Sequence, residues 1–174
     1  MSRSRRLPTA FFARDATEVA PELLHKVLRV QGTHGTIDAR ITEVEAYTQD
    51  DPASHSFRGR TPRNAAMFGP PGRLYVYFVY GMHHCVNLVT GREGDGQAVL
   101  VRAAVVPGVP VRRTDGPGKL TKLVGIDRSH DGAEAVVLDD GARVPEAEIT
   151  PRIGIARAVD WPRRWRAPWP PTGG

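Results

Sequence analysis

Cysteine is nearly missing from this chain: Cys85 stands alone. A lone thiol excludes an intramolecular disulfide and suits a reducing compartment. Lysine is almost as scarce. Lys26, Lys119 and Lys122 are the full set, so arginine carries most of the positive charge. No apolar run reaches the length needed to span a bilayer. The N-terminal "MSRSRRLPTAFFARD" is basic, but Arg14 and Asp15 interrupt any signal-like apolar stretch. The chain has no GxGxxG, no P-loop, no HxExH and no CxxC, which leaves nucleotide cofactors unsupported. His83, His84 and Cys85 are adjacent, so on a strand they alternate between opposite faces and do not meet at one ion. The expectation is a cytoplasmic chain with no cofactor, no metal and no membrane association.

What is present is glycine and proline. Eighteen Gly and fifteen Pro in 174 residues, with 40% hydrophobic residues, fit one domain of strands joined by irregular loops rather than a helix bundle. The expected class is α+β: a single mixed-sheet domain with an antiparallel core, short helices and a protruding β-hairpin. Residues 10–165 form the domain in this reading, and 1–9 and 166–174 are flexible ends. The net charge of +5 weakly favours an anionic partner. Its distribution says more. Between Pro52 and Arg92 lie five arginines and no acid, whereas Asp131 to Glu148 holds six acids and one arginine. That polarity suggests a basic face opposite a solvated acidic one, although an ordinary mixed surface accounts for it equally well.

Along the chain, 17–27 reads as a short helix capped by Asp15 or Thr17. "KVLRVQG" and "TIDARITEVEAY" read as two strands around a turn at "THG". In the second, Ile37, Ile41, Glu43, Glu45 and Tyr47 share one parity, which puts Glu45 on the side of the isoleucines. Residues 48–72 form a polar loop long enough to suggest function. "RLYVYFVYG" and "MHHCVNLVT" make a hairpin with Tyr80 and Met82 at its tip, and "QAVLVRAAVV" is a further strand broken only by Arg102. "GPGKLTKLVGI" opens as a glycine-rich turn and continues as a helix. Short strands are expected at "AVVLDD" and "RIGIA".

Several side chains stand out chemically. A carboxylate on a mostly apolar strand, Glu45, can be a general base or a structural group bonded to an arginine or to backbone N–H groups. A buried arginine needs an anion, so Arg102 and Glu45 are natural partners, either as a salt bridge or with a water held between them. Tyr75 and Tyr77 alternate on one strand face, where a core role is ordinary. Tyr80 at a hairpin tip is harder to read as core. A large exposed ring is a partner contact or a wedge, and beside a basic loop it suits nucleic acid. "GPGKL" offers backbone N–H groups and Lys119 to a phosphate, but a plain connecting loop fits as well.

The stretches "RITEVEAY", "TPRNAAMFGPPGRLYVYFVYGMHHCVN", "GDGQAVLVRA", "GPGKLTKLVGI" and "RIGI" together resemble the alkyladenine (3-methyladenine) DNA glycosylases, collinearly from about residue 10 to about 165. The resemblance implies a mixed α/β domain whose hairpin enters the DNA minor groove and flips out a damaged purine. It makes Glu45 the general base for the attacking water and Arg102 its helper, with the Ile153 carbonyl as a third water ligand. It assigns Tyr47, His55, Tyr77 and Asn87 to the base pocket, and Tyr80 with Met82 to the wedge. Lys119 becomes a phosphate contact, and Arg63 and Met67 belong to a segment along the DNA. The segment between Arg102 and "GPGKL" is shorter than in most of the family, and Arg112 and Arg113 are candidates to replace its contacts. The implied partner is duplex DNA with damaged purines, met by a monomer. A lyase step needs an amine nucleophile, and no lysine falls in the Glu45 motif, so a monofunctional enzyme is expected. The alternatives are a non-catalytic lesion-binding module and a small-molecule hydrolase using Glu45 and His55.

Overall fold

A computed structural model describes residues 3–171. In chain order it contains β1 (Arg5–Arg6), α1 (Thr9–Phe12), α2 (Ala16–Leu23), β2 (Val27–Gly32), β3 (Gly35–Tyr47), β4 (Leu74–Val79), β5 (His83–Thr90), β6 (Gln97–Val105), α3 (Pro117–Val124), β7 (Val136–Asp139), β8 (Glu148–Thr150) and β9 (Arg164–Arg166). Short 3₁₀ turns lie at Ala65–Phe68, Val111–Arg113 and Arg128–His130. The strands form one antiparallel sheet in the order β1-β7-β2-β3-β6-β5-β4, with β9 pairing β3 and β8. The class is therefore the α+β mixture expected.

One face of the sheet is sealed by helices. Asp15 caps α2 by accepting the Thr17 N–H at 2.9 Å. Ala16, Val19, Ala20 and Leu23 follow at helical spacing and are all buried. Helix α3 begins with proline in its first turn and ends at Gly125, whose φ of 78° supplies the left-handed stop. Leu120 and Val124 of α3 join the α2 residues, Ile41, Val44, Ala46, Val99 and Val101 in the main core. The opposite face carries a smaller cluster of Met67, Phe68, Tyr75, Val89 and Ala98, with Tyr47 and Tyr77 against it.

The parity expected for β3 does not survive along its length. Pairing with β6 is irregular between Ile41 and Val44. Core-facing residues step from Ile41 to Val44 on β3 and from Val101 to Ala104 on β6. Three residues separate them on each strand where alternation allows two, so both strands change phase together. Glu45 consequently lies on the face away from Ile41, not beside it. The expected strand at "RIGIA" is also absent, and residues 151–155 are irregular with a bend at 153–154. Gly154 takes a φ of 72° there, and the Ile153 N–H bonds a side chain instead of a ladder. Of the ends expected to be free, residues 1–2 and 172–174 lie outside the described residues, and the described parts make contacts. Arg5–Arg6 pair with β7, Arg166 pairs with β3 and β8, and Ala167 is buried with its N–H donating to the Thr42 carbonyl at 2.9 Å.

Candidate active site

Four adjacent strands each send alternate side chains to the face away from the helices. These are Glu45 and Tyr47 from β3, Tyr75 and Tyr77 from β4, Cys85 and Asn87 from β5, and Leu100 and Arg102 from β6. Cross-strand register brings Glu45 opposite Leu100, Leu100 opposite Asn87, and Asn87 opposite Tyr75. Above them is a cavity of about 730 Å³, closed by Pro52, His55 and Met67 of the long loop, the start of α3, and residues 153–157. The cavity reaches the hairpin tip at Tyr80.

Glu45 is 0% exposed, yet it lines this cavity. The burial is repaid by three groups. The Tyr47 hydroxyl donates to Oε1 at 2.8 Å, the Ile153 N–H donates to Oε2 at 2.8 Å, and Arg102 Nη1 lies 3.6 Å from Oε1. Arg102 is shared. Its Nε donates to Glu43 Oε1 at 3.2 Å, and Arg164 Nη1 reaches the same oxygen at 2.9 Å. The bond seen at Ile153 is through its N–H. Sequence reasoning missed Glu43 as the second carboxylate on Arg102, although the alternation puts it on the side of Glu45.

The ring wall is tightly built. His55 and Tyr77 meet edge to face at 4.3 Å between centroids, and Tyr75 and Tyr77 lie tilted by 40° at 5.5 Å. His55 Nδ1 shares a 2.9 Å hydrogen bond with the Tyr75 hydroxyl. The crowded wall, and then the Arg63 charge, push the His55 imidazole below its ordinary value, so neutral His55 is favoured. Much of His55's surface still opens on the cavity, which tempers the effect of burial. Burial, followed by the Glu45 charge, pushes the Tyr47 phenol far up, which keeps it a donor. Burial and then Asp131 raise Tyr75 to about 12, and burial raises Tyr77 and the Cys85 thiol. Asn87 is buried, with Nδ2 donating to the Tyr75 carbonyl at 3.2 Å.

The remaining expected residues divide. Tyr80 and Met82 are 87% and 72% exposed at the tip. Tyr80 and Gly81 have φ of 54° and 63°, and the Met82 N–H closes on the Val79 carbonyl at 3.1 Å, a tight turn with both central residues left-handed. Lys119 lines the cavity and pairs with Asp115 at 2.8 Å. Arg63 is outside the main cavity. It lines a neighbouring hollow of about 400 Å³ on the other side of His55, Tyr75 and Tyr77. Met67 is not at the surface as expected: the 3₁₀ turn points it inward, where it is buried and lines the cavity. Asn64, next to Arg63, also turns inward. Its Nδ2 donates to the His55 and Gly59 carbonyls at 2.9 and 3.1 Å, which fixes the loop behind the His55 ring. Among the described residues no three His, Cys, Asp or Glu side chains group as metal ligands.

A sequence model of the methylpurine-DNA glycosylase family matches residues 10–169. The chain belongs to that family. Relatives named "Putative 3-methyladenine DNA glycosylase" agree with the match. One from Burkholderia lata is 46% identical over 93% of this chain and 87% of its own length. One from Methanoculleus marisnigri is 45% identical over 91% and 93%, and one from Streptomyces avermitilis 43% over 86% and 81%. Family membership makes the protein a monofunctional DNA glycosylase of alkylated-base repair. Among the described residues no helix is long and apolar enough to cross a membrane.

Proposed function

We propose that the protein flips a damaged purine out of duplex DNA into the 730 Å³ cavity and hydrolyses its N-glycosidic bond with a water activated by Glu45. An abasic site remains. The observation that carries this reading is the pairing of a fully buried, donor-held carboxylate with a ring-lined cavity that opens beside an exposed tyrosine tip. The volume falls within the roughly 300–1,000 Å³ of small-ligand pockets.

Each residue then has a physical task. Tyr47, His55 and Tyr77 enclose the base, and cationic alkylated purines gain roughly 0.5–2 kcal/mol per ring contact. Neutral His55 adds no charge repulsion against such a base. Asn87, held on the Tyr75 carbonyl, presents its amide edge to the pocket. Tyr80 fills the gap left in the stack and offsets part of the few kcal/mol of unstacking, with Met82 beside it. Arg63 and Lys119 attract the backbone phosphates. Glu45 orients a water toward the sugar carbon and takes its proton, and Arg102 steadies that water. Ile153 sits at the same place through its backbone. The protein acts as a monomer on duplex DNA.

Single-turnover release from duplexes containing hypoxanthine, ethenoadenine or 7-methylguanine tests this. Base release disappears in Glu45→Gln while duplex binding persists. Release at the wild-type rate in that variant removes Glu45 from its role, and binding without release by the wild type converts the protein to a lesion-binding module.

A further inference from the structure

The geometry points to the buried Arg152–Asp51 ion pair as a positioning device: it locks the segment after β8 onto the end of β3 and so aims two of the three groups that hold Glu45, the Ile153 N–H and the Tyr47 hydroxyl. This rests on the role given to Glu45 above. Both side chains of the pair are 0% exposed. Arg152 Nη1 bonds Asp51 Oδ2 and donates to the Ala46 carbonyl at 3.1 Å, and Nη2 donates to Asp51 Oδ1 at 3.0 Å. The face of the same guanidinium lies 4.7 Å from the centre of the Tyr47 ring. Asp51 also accepts the Ala53 N–H at 2.9 Å and lies 3.8 Å from Arg163, which donates to Thr48 at 2.8 Å. One carboxylate thus joins the two irregular loops that close the cavity.

Stability alone is a weak reason for such a pair, because a well-packed apolar pair of similar size holds loops equally well. Direction is what apolar contacts do not supply. A planar guanidinium bonded through its fork fixes its own backbone. The next peptide N–H, that of Ile153, is the donor to Glu45 Oε2. The Ile153 side chain is 48% exposed at the cavity rim, and Gly154 beyond it takes the left-handed conformation. The aim of that N–H is therefore set by Arg152. The Tyr47 ring, backed by the guanidinium, carries the hydroxyl on Oε1. The Arg152 Nε has no partner among the described residues, so the group is set by its fork and its face.

The test uses the full chain with Arg152→Lys and Arg152→Met. Single-turnover release on lesion duplex, run across protein concentration, gives the maximal rate and the half-saturation point. Amide hydrogen exchange of Ile153 is followed separately. Arg152→Lys is expected to lose about 10- to 100-fold in maximal rate, as misplacement of about 1 Å does, with half-saturation moving less than about threefold. Its Ile153 amide exchanges at least about tenfold faster while amides of β2 and β5 keep their protection. Wild-type rates, a loss shared by rate and half-saturation, or an Ile153 amide still protected each overturn the proposal. If neither variant folds, the pair is a general folding element and the proposal also fails. The two readings fail separately: a wild type that releases no base sinks the role of Glu45, whereas unchanged Ile153 exchange sinks the role of Arg152 whatever the activity.

Discussion

Glu45 keeps its charge out of water only because donors converge on it, and the phenol of Tyr47 is one of them. A hydrogen bond to a charged group contributes roughly 1.5–3 kcal/mol, and about 1.4 kcal/mol is tenfold in rate. Tyr47→Phe should therefore lower single-turnover release by about tenfold or more, with lesion-duplex affinity in a titration little changed. His55 gives a prediction in pH. Its folded pKa lies below the ordinary value of about 6.5, so the unfolded chain binds the proton first. Stability should fall as the pH drops below about 6.5 and stop falling below the depressed value. Thermal melts between pH 7 and 5 should show this decline, and His55→Phe should flatten it. Glu45, Tyr47, His55, Tyr77 and Arg102 were legible because residue type and motif mark them. Glu43, Asp51, Asn64 and Arg152 were not, because their work is to hold other side chains, and their partners lie up to 121 residues away.

The hairpin β4–β5 trades local comfort for its tip. Tyr80 sits at a positive φ that a side-chain-bearing residue adopts at a cost of roughly 1–2 kcal/mol. Asparagine tolerates that conformation better. Tyr80→Asn should stabilise the fold by about 1 kcal/mol, a rise of about 2–4 °C in melting temperature for a domain of this size. The same change should weaken binding to lesion duplex much more than to free modified base. Equal weakening for both would show that the ring does not act on the duplex. Hairpin, helices and the long loop could be read from period and turn residues. The β3 phase change could not, because "ARITEVEAY" alternates smoothly on paper and the break appears only where β6 breaks with it. The expected strand at "RIGIA" failed for a related reason: its residues satisfy the site instead of the sheet.

Across the protein, the excess of arginine should make DNA binding steeply dependent on salt. Arg63 has no acidic partner among the described residues, so each duplex it binds should release about one counterion on its account. Arg63→Gln should reduce the slope of log affinity against log salt concentration by about 1, nearly equally on lesion and undamaged duplex. A slope that stays put would place Arg63 off the DNA path. Domain count and class followed from composition, whereas the structured ends did not, since short strands such as Arg164–Arg166 exist only through their partners. Those partners carry a consequence for folding. Arg164 holds Glu43 from 121 residues away, and β9 flanks the backbone of Glu43 to Glu45. During synthesis the tyrosine tip and the basic loop emerge long before this late segment arrives. The stretch from Glu43 to Glu45 therefore gains its last backbone and charge partners only after the rest of the sheet has been made.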